Sequence, residues 1–181
     1  MNGHRSRERA VGESGAIDSR AERGGIRGDE IRERTAIAGR SLPLPPDPVG
    51  AYSAGIVHAG VGYLSGQLPL AHGHLRFAGR VGAELTVAQG RAAAELAALN
   101  VVAQLVRLLG PTRRLVTLLR VDGAVASAAD FVEQPAVLDT ASGLFLALLG
   151  GAGRHARSAI GVPRLPLDAA VELAVTFALE E

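Results

Sequence analysis

From residue 50 onward the chain switches between two periodicities. Residues 170–179 alternate: Val171, Leu173, Val175 and Phe177 fall on one side, and Glu172, Ala174, Thr176 and Ala178 on the other. That is the period of a strand with one buried face. Tyr52–Val57 and Val61–Ser65 are short runs separated by His58-Ala59-Gly60, the form of a β-hairpin, and Gly66-Gln67-Leu68-Pro69 ends its second strand. Residues 71–83 read as a loop rich in Gly and His. Thr86-Val87-Ala88-Gln89 is a capping box, with Thr as N-cap and Gln three residues on. It predicts a helix to Leu109, about 35 Å long at ~1.5 Å per residue, closed by Gly110-Pro111. Alanines at 92, 93, 94, 97 and 98 favour this helix and allow close approach to a packed surface. A third strand is expected over Leu115–Val121, a second, shorter helix within Asp130–Gly150, and a fourth strand over Ala156–Val162. Leu165-Pro166-Leu167-Asp168 then turns the chain into the alternating fifth strand.

The predicted order is β-β-α-β-α-β-β, an α/β (α+β) fold in which two helices cover one face of a mixed sheet. The other face needs cover too, and if it is apolar, self-association is the obvious way to supply it. Ahead of this domain, residues 1–40 hold nine Arg and seven Asp or Glu, many Gly and no sustained apolar pattern. Such a segment buries too little surface to offset its ordering entropy and is expected to be a disordered extension, with one domain over 41–181. The interleaved acids nearly cancel its Arg charge, so a solvated tail, or a start codon placed too early, is favoured over an RNA-contacting arm. Pro43, Pro45, Pro46 and Pro48 force an extended lead-in at the domain's start. This lead-in could serve a proline-recognition module, but a stiff segment lying against the fold is the simpler expectation.

Composition narrows the chemistry. The 181 residues include no Cys, which excludes disulfides, a thiolate metal site and a cysteine nucleophile. All 19 basic residues are Arg, so a Schiff-base or P-loop lysine is excluded too. Net charge is +1 overall, and the ten Arg and eleven acids of residues 41–181 give that part −1. Neither value draws the chain to nucleic acid or to an anionic membrane. No run of 18 uninterrupted apolar residues and no apolar N-terminal signal are present, so a cytoplasmic protein without membrane spans is expected.

Glu172 is the first candidate for chemistry. Its same-face strand neighbours, Ala170 and Ala174, are small and apolar, so its carboxyl lies at a wet edge or in a cleft. Burial without a partner would raise its pKa and suit it to acid–base work. Arg157, flanked by Ala156, Ser158, Ala159 and Ile160, calls for a carboxylate or phosphate partner. If strands four and five pair as a hairpin, Arg157 and Glu172 could face one cleft, as a site or as a plain salt bridge. Ser65 could donate a hydrogen bond into a site or cap its strand. Tyr52 is a core ring or a pocket wall. His155 could orient a ligand or add positive charge. His72 and His74 could chelate a metal, but no third ligand suggests itself and exposed loop histidines are the better reading, so no metal is expected.

These residues together resemble the YjgF/RidA family, also called endoribonuclease L-PSP, over about residues 42–179. Pro48-Val49-Gly50-Ala51-Tyr52 is similar to its opening segment and Tyr63-Leu64-Ser65-Gly66-Gln67-Leu68-Pro69-Leu70 to its second-strand signature. Ala156-Arg157-Ser158-Ala159, Arg164-Leu165-Pro166 and Val171-Glu172-Leu173 follow its C-terminal pattern. The segment Gly153-Arg154-His155-Ala156-Arg157-Ser158-Ala159 marks a particular branch. The resemblance implies a chorismate-mutase-like fold, a homotrimer with ligand clefts between subunits, and hydrolysis of reactive enamines and imines to 2-oxo acids and ammonia without a cofactor. This is the chemistry of a 2-iminobutanoate/2-iminopropanoate deaminase. On this chain it implies that Arg157 clamps the substrate carboxylate and Glu172 positions the attacking water. Tyr52, Ser65 and Gly66 would line the pocket, and the backbone of Ala159 would hold the imine nitrogen. Ala159 stands where such deaminases often have Cys, and Asp139 where they commonly have Asn. An acid there would repel an anionic substrate. The alternatives are a non-catalytic trimer that binds small carboxylates and regulates a partner, and, more distantly, an endoribonuclease, which the net charge of −1 and the scarcity of aromatics disfavour.

Overall fold

The computed structural model describes residues 24–180. Eight strands and three α-helices run in the order β1 (Ile26–Arg27), α1 (Gly28–Ile37), β2 (Gly55–His58), β3 (Val61–Gln67), β4 (Leu70–Ala71), β5 (His74–Leu75), α2 (Val87–Leu109), β6 (Arg114–Ala126), α3 (Gln134–Leu149), β7 (Ala156–Val162) and β8 (Val171–Glu180). The sheet order is β1-β6-β8-β3-β2, all antiparallel, and β7 joins β6 in parallel on the same edge as β1. β4 and β5 form a separate small hairpin.

The β-β-α-β-α-β-β core is present and the sheet is mixed. The number of α-helices differs: among the described residues there are three. Residues 26–37, expected to belong to a disordered segment, form β1 and α1 instead. β1 pairs with the start of β6, and α1 packs on α2 and α3 with Ile31 fully buried and Thr35 nearly so. The expected tail of residues 1–23 lies outside the described residues.

Capping explains why α2 begins where it does. The Thr86 hydroxyl accepts from the Gln89 N–H at 3.2 Å, and the Gln89 side chain accepts from the Thr86 N–H at 2.9 Å. Gly110 ends the helix in a left-handed conformation, φ 58°. By length and composition α2 and Gln134–Gly153 would each pass as a membrane span. Here α2 is the central core helix, with Ala93, Ala94, Ala97, Ala98, Val101 and Val102 buried. Its alanines let it lie close to the inward residues Val171, Leu173, Val175 and Phe177 of β8.

The opposite face of the sheet is open. Register places Ile56, Tyr63, Thr176, Ala174, Ala124 and Ile160 on it. Ile56 (57%), Ile160 (54%) and Tyr63 (50%) are exposed there, which meets the condition under which self-association was expected to cover this face.

Candidate active site

Two polar centres occupy opposite faces of the sheet. The first surrounds Glu172. β8 places it between two concavities: a small cleft lined by Pro46, Pro48, Tyr52, Gly66, Leu68 and Pro166, and the open sheet face beside Asp122, Ser158 and Ile160. Among the described residues no group hydrogen-bonds to its carboxyl, and burial pushes its pKa above the usual glutamate value. β3 makes room for it. The β3–β8 register shifts between Leu64 and Gln67, a bulge that leaves Gly66 beside the carboxyl. A Cβ at Gly66 would overlap the Glu172 carboxylate. On the open face Arg120 makes two hydrogen bonds to Asp122, at 2.8 and 2.9 Å, and Ser158 donates a third at 2.6 Å. Arg120 first, and Ser158 after it, hold Asp122 below the usual carboxylate range.

The cleft walls are held from behind by α2. Asn100 donates to the carbonyls of Leu68 (2.9 Å) and Leu70 (3.0 Å), and Gln104 donates to that of Pro46 (2.6 Å). Both side chains are fully buried. The proline-rich lead-in is therefore a wall of the cleft, its backbone tied to the core helix. Asn100 and Gln104 give little sequence signal: they look like polar interruptions of an apolar helix.

The second centre surrounds Arg157, where β7 meets α3. Arg157 donates through Nη1 to Ser142 Oγ (3.0 Å) and through Nη2 to Asp139 Oδ1 (3.0 Å). The Ser142 hydroxyl lies 3.0 Å from His155 Nε2, and His155 Nδ1 lies 2.7 Å from the Gly153 carbonyl. Phe145 meets the imidazole edge-on at 5.7 Å.

The hairpin expected between strands four and five does not form. β7 and β8 flank β6 from its two sides. Arg157 pairs with inward-facing Val121, and Glu172 pairs with outward-facing Ala124. Within one chain the two residues therefore lie on opposite faces of the sheet and share no cleft. The structure brings together Tyr52, Gly66 and Glu172, and separately Arg157 and Asp139. Ser65 precedes Gly66 in the bulge but does not line the Glu172 cleft, and its hydroxyl donates to the Ser53 carbonyl at 2.7 Å. Ala159 is partly buried next to Arg157's strand position and packs against the core. His72 and His74 are both exposed, at the β4–β5 hairpin. Among the described residues no group of three His, Asp or Glu could hold a metal ion.

Comparison with known proteins agrees with this architecture. The family model described as "YjgF/chorismate_mutase-like, putative endoribonuclease" matches residues 32–179. This chain belongs to that YjgF/RidA family, and the match begins inside α1, ahead of the boundary expected at residue 41. Protein TCP17 of Trypanosoma cruzi is 39% identical over 136 residues, 75% of this chain and 85% of that protein. The crystal structure of Atu1372, a protein of unknown function from Agrobacterium tumefaciens, is 35% identical with a TM-score of 0.77, covering 84% of this chain and 94% of that one. RidA from an Antarctic Psychrobacter is 26% identical with a TM-score of 0.54, covering 75% and 94%.

Proposed function

We propose that this protein is a hydrolytic deaminase of reactive enamine or imine intermediates, working as a homotrimer whose sites lie between subunits. The observation that carries the reading is Glu172: a half-buried carboxyl without a partner, in a cleft shaped by a bulge that admits it. Arg157 on the opposite sheet face, and an open face with exposed Ile56, Tyr63 and Ile160, supply the reason for assembly. Burying that face against a second copy in a closed ring would bring the Glu172 half-site of one subunit to the Arg157 half-site of the next.

The chemistry needs little more than placement. Arg157 binds the substrate carboxylate. Its partner Asp139 is 70% exposed on its side chain, so the pair is weak enough for a ligand carboxylate to displace. As water attacks the imine carbon, its oxygen forms the new C–O bond, Glu172 takes the proton, and the C=N π electrons move to nitrogen. Glu172 then returns the proton to nitrogen. Glu172 then takes the proton of the new hydroxyl and passes it to the same nitrogen, so that the C–N bond breaks as the carbonyl forms, and ammonia leaves with the 2-oxo acid. A raised pKa suits Glu172 to both transfers near neutral pH. The net charge of −1 over residues 41–181 favours a small substrate over RNA.

The test is imine hydrolysis, with 2-imino acids made in situ by an amino-acid oxidase and the unhydrolysed fraction trapped by semicarbazide. Wild type should suppress semicarbazone formation. Arg157→Ala and Glu172→Gln should each lose roughly 100-fold or more while keeping their oligomeric state. The wild-type rate should fall as pH drops through the raised Glu172 value, because the protonated carboxyl cannot accept water's proton. Retained activity in Glu172→Gln would overturn the mechanism. An inert wild type that still binds 2-oxo acids would favour the regulatory reading.

A further inference from the structure

Ser142 and His155 touch neither half of the reaction just described, yet they form a continuous hydrogen-bonded chain with Arg157. The carbonyl of Gly153 can only accept, so His155 Nδ1, 2.7 Å away, must carry a proton. In the neutral ring Nε2 is then an acceptor, and the Ser142 hydroxyl, 3.0 Å away, donates to it. That leaves the Ser142 oxygen lone pairs to accept from Arg157 Nη1 at 3.0 Å. Every donor points the same way, from guanidinium to hydroxyl to imidazole to backbone carbonyl, so each bond polarises the next.

The chain is built into the fold. His155 and Arg157 are two residues apart leading into β7, which turns both toward α3. Ser142 and Asp139 are three apart on α3, which places both on the surface facing them. Gly153, the terminal acceptor, lies flush against the Phe145 backbone, where a Cβ would overlap the Phe145 carbonyl. Phe145 also fixes the imidazole edge-on.

The consequence concerns Asp139. A carboxylate beside a guanidinium prefers a two-pronged contact across both terminal nitrogens. Asp139 makes only one, to Nη2, which also reaches the Pro135 carbonyl at 3.4 Å, while Nη1 donates to Ser142. We propose that Ser142 and His155 are positioning residues that hold Arg157 out of a bidentate lock with Asp139 and so keep it open to a ligand carboxylate. This rests on Arg157 being the carboxylate clamp. It also gives the acid at position 139 a role other than repulsion: it restrains the clamp without closing it.

The first readout needs no ligand. Nitrogen-15 shifts of His155 should show the Nδ1–H tautomer at neutral pH, and the Nε2–H tautomer would overturn the chain. The second is calorimetric binding of pyruvate, with oligomeric state checked by light scattering. Ser142→Ala and His155→Leu should each bind roughly tenfold more weakly than wild type. Ser142→Thr and His155→Gln, which keep the hydroxyl and the acceptor, should stay within about twofold of it. Ser142→Ala combined with Asp139→Asn should bind as tightly as Asp139→Asn alone, because the competing carboxylate is gone; a merely structural loss would leave the double variant weaker than Asp139→Asn by the same factor as Ser142→Ala is weaker than wild type. Undiminished binding by Ser142→Ala, or a double variant weaker than Asp139→Asn by that factor, would overturn the proposal. Arg157→Ala is the control for the reading beneath it: undiminished binding there would remove the clamp itself, whereas the tautomer still judges the chain on its own terms.

Discussion

At the scale of single residues the site depends on one missing methyl group. Gly66 allows the β3 bulge to pass under the Glu172 carboxyl, and no other residue type leaves that space. Gly66→Ala should fold, since the overlapping group is the end of a flexible side chain. It should displace Glu172 and lower kcat at least about tenfold, read in the imine assay beside circular dichroism. Glu172 itself was legible in the sequence: a carboxylate between Ala170 and Ala174 on an alternating strand is conspicuous. Arg157 was legible for the same reason, a guanidinium in an apolar strand. Their placement on opposite faces was not. It follows from β6 inserting between β7 and β8, a long-range pairing that spacing along the chain does not encode. Nor was the ion pair that makes Asp139, expected only to repel an anionic substrate, the partner of Arg157, because residues 18 apart meet through the α3–β7 packing.

Among the elements, α2 and β8 fall where capping and alternation put them, since their signals are local: a capping box, a Gly-Pro stop and a strict period of two. α1 escaped notice for a physical reason. Its ten residues hold charged side chains around a single large buried one, Ile31, and averaging over forty charge-rich residues hides that residue. Because Ile31 anchors the helix to α2 and α3, Ile31→Ala should destabilise the protein by about 2–5 kcal/mol, measured by urea unfolding. A loss within ~0.5 kcal/mol would mean that α1 is a loosely attached appendage. The proline-rich segment is an element in its own right. Gln104 and Asn100 tie it and the β3–β4 connection to one helix, so the cleft walls move with the core.

For the whole molecule the question is whether the two half-sites meet. One chain carries both but keeps them apart, and the open sheet face offers the surface through which copies would associate. Complementation tests this most directly. Arg157→Ala and Glu172→Gln, each inactive alone, would be co-expressed with different tags and purified through both. In a closed trimer that carries both tags, one of the three boundaries pairs an intact Glu172 with an intact Arg157, so about a third of wild-type activity should return. Mixed assemblies as inactive as either parent would contradict a site shared between subunits.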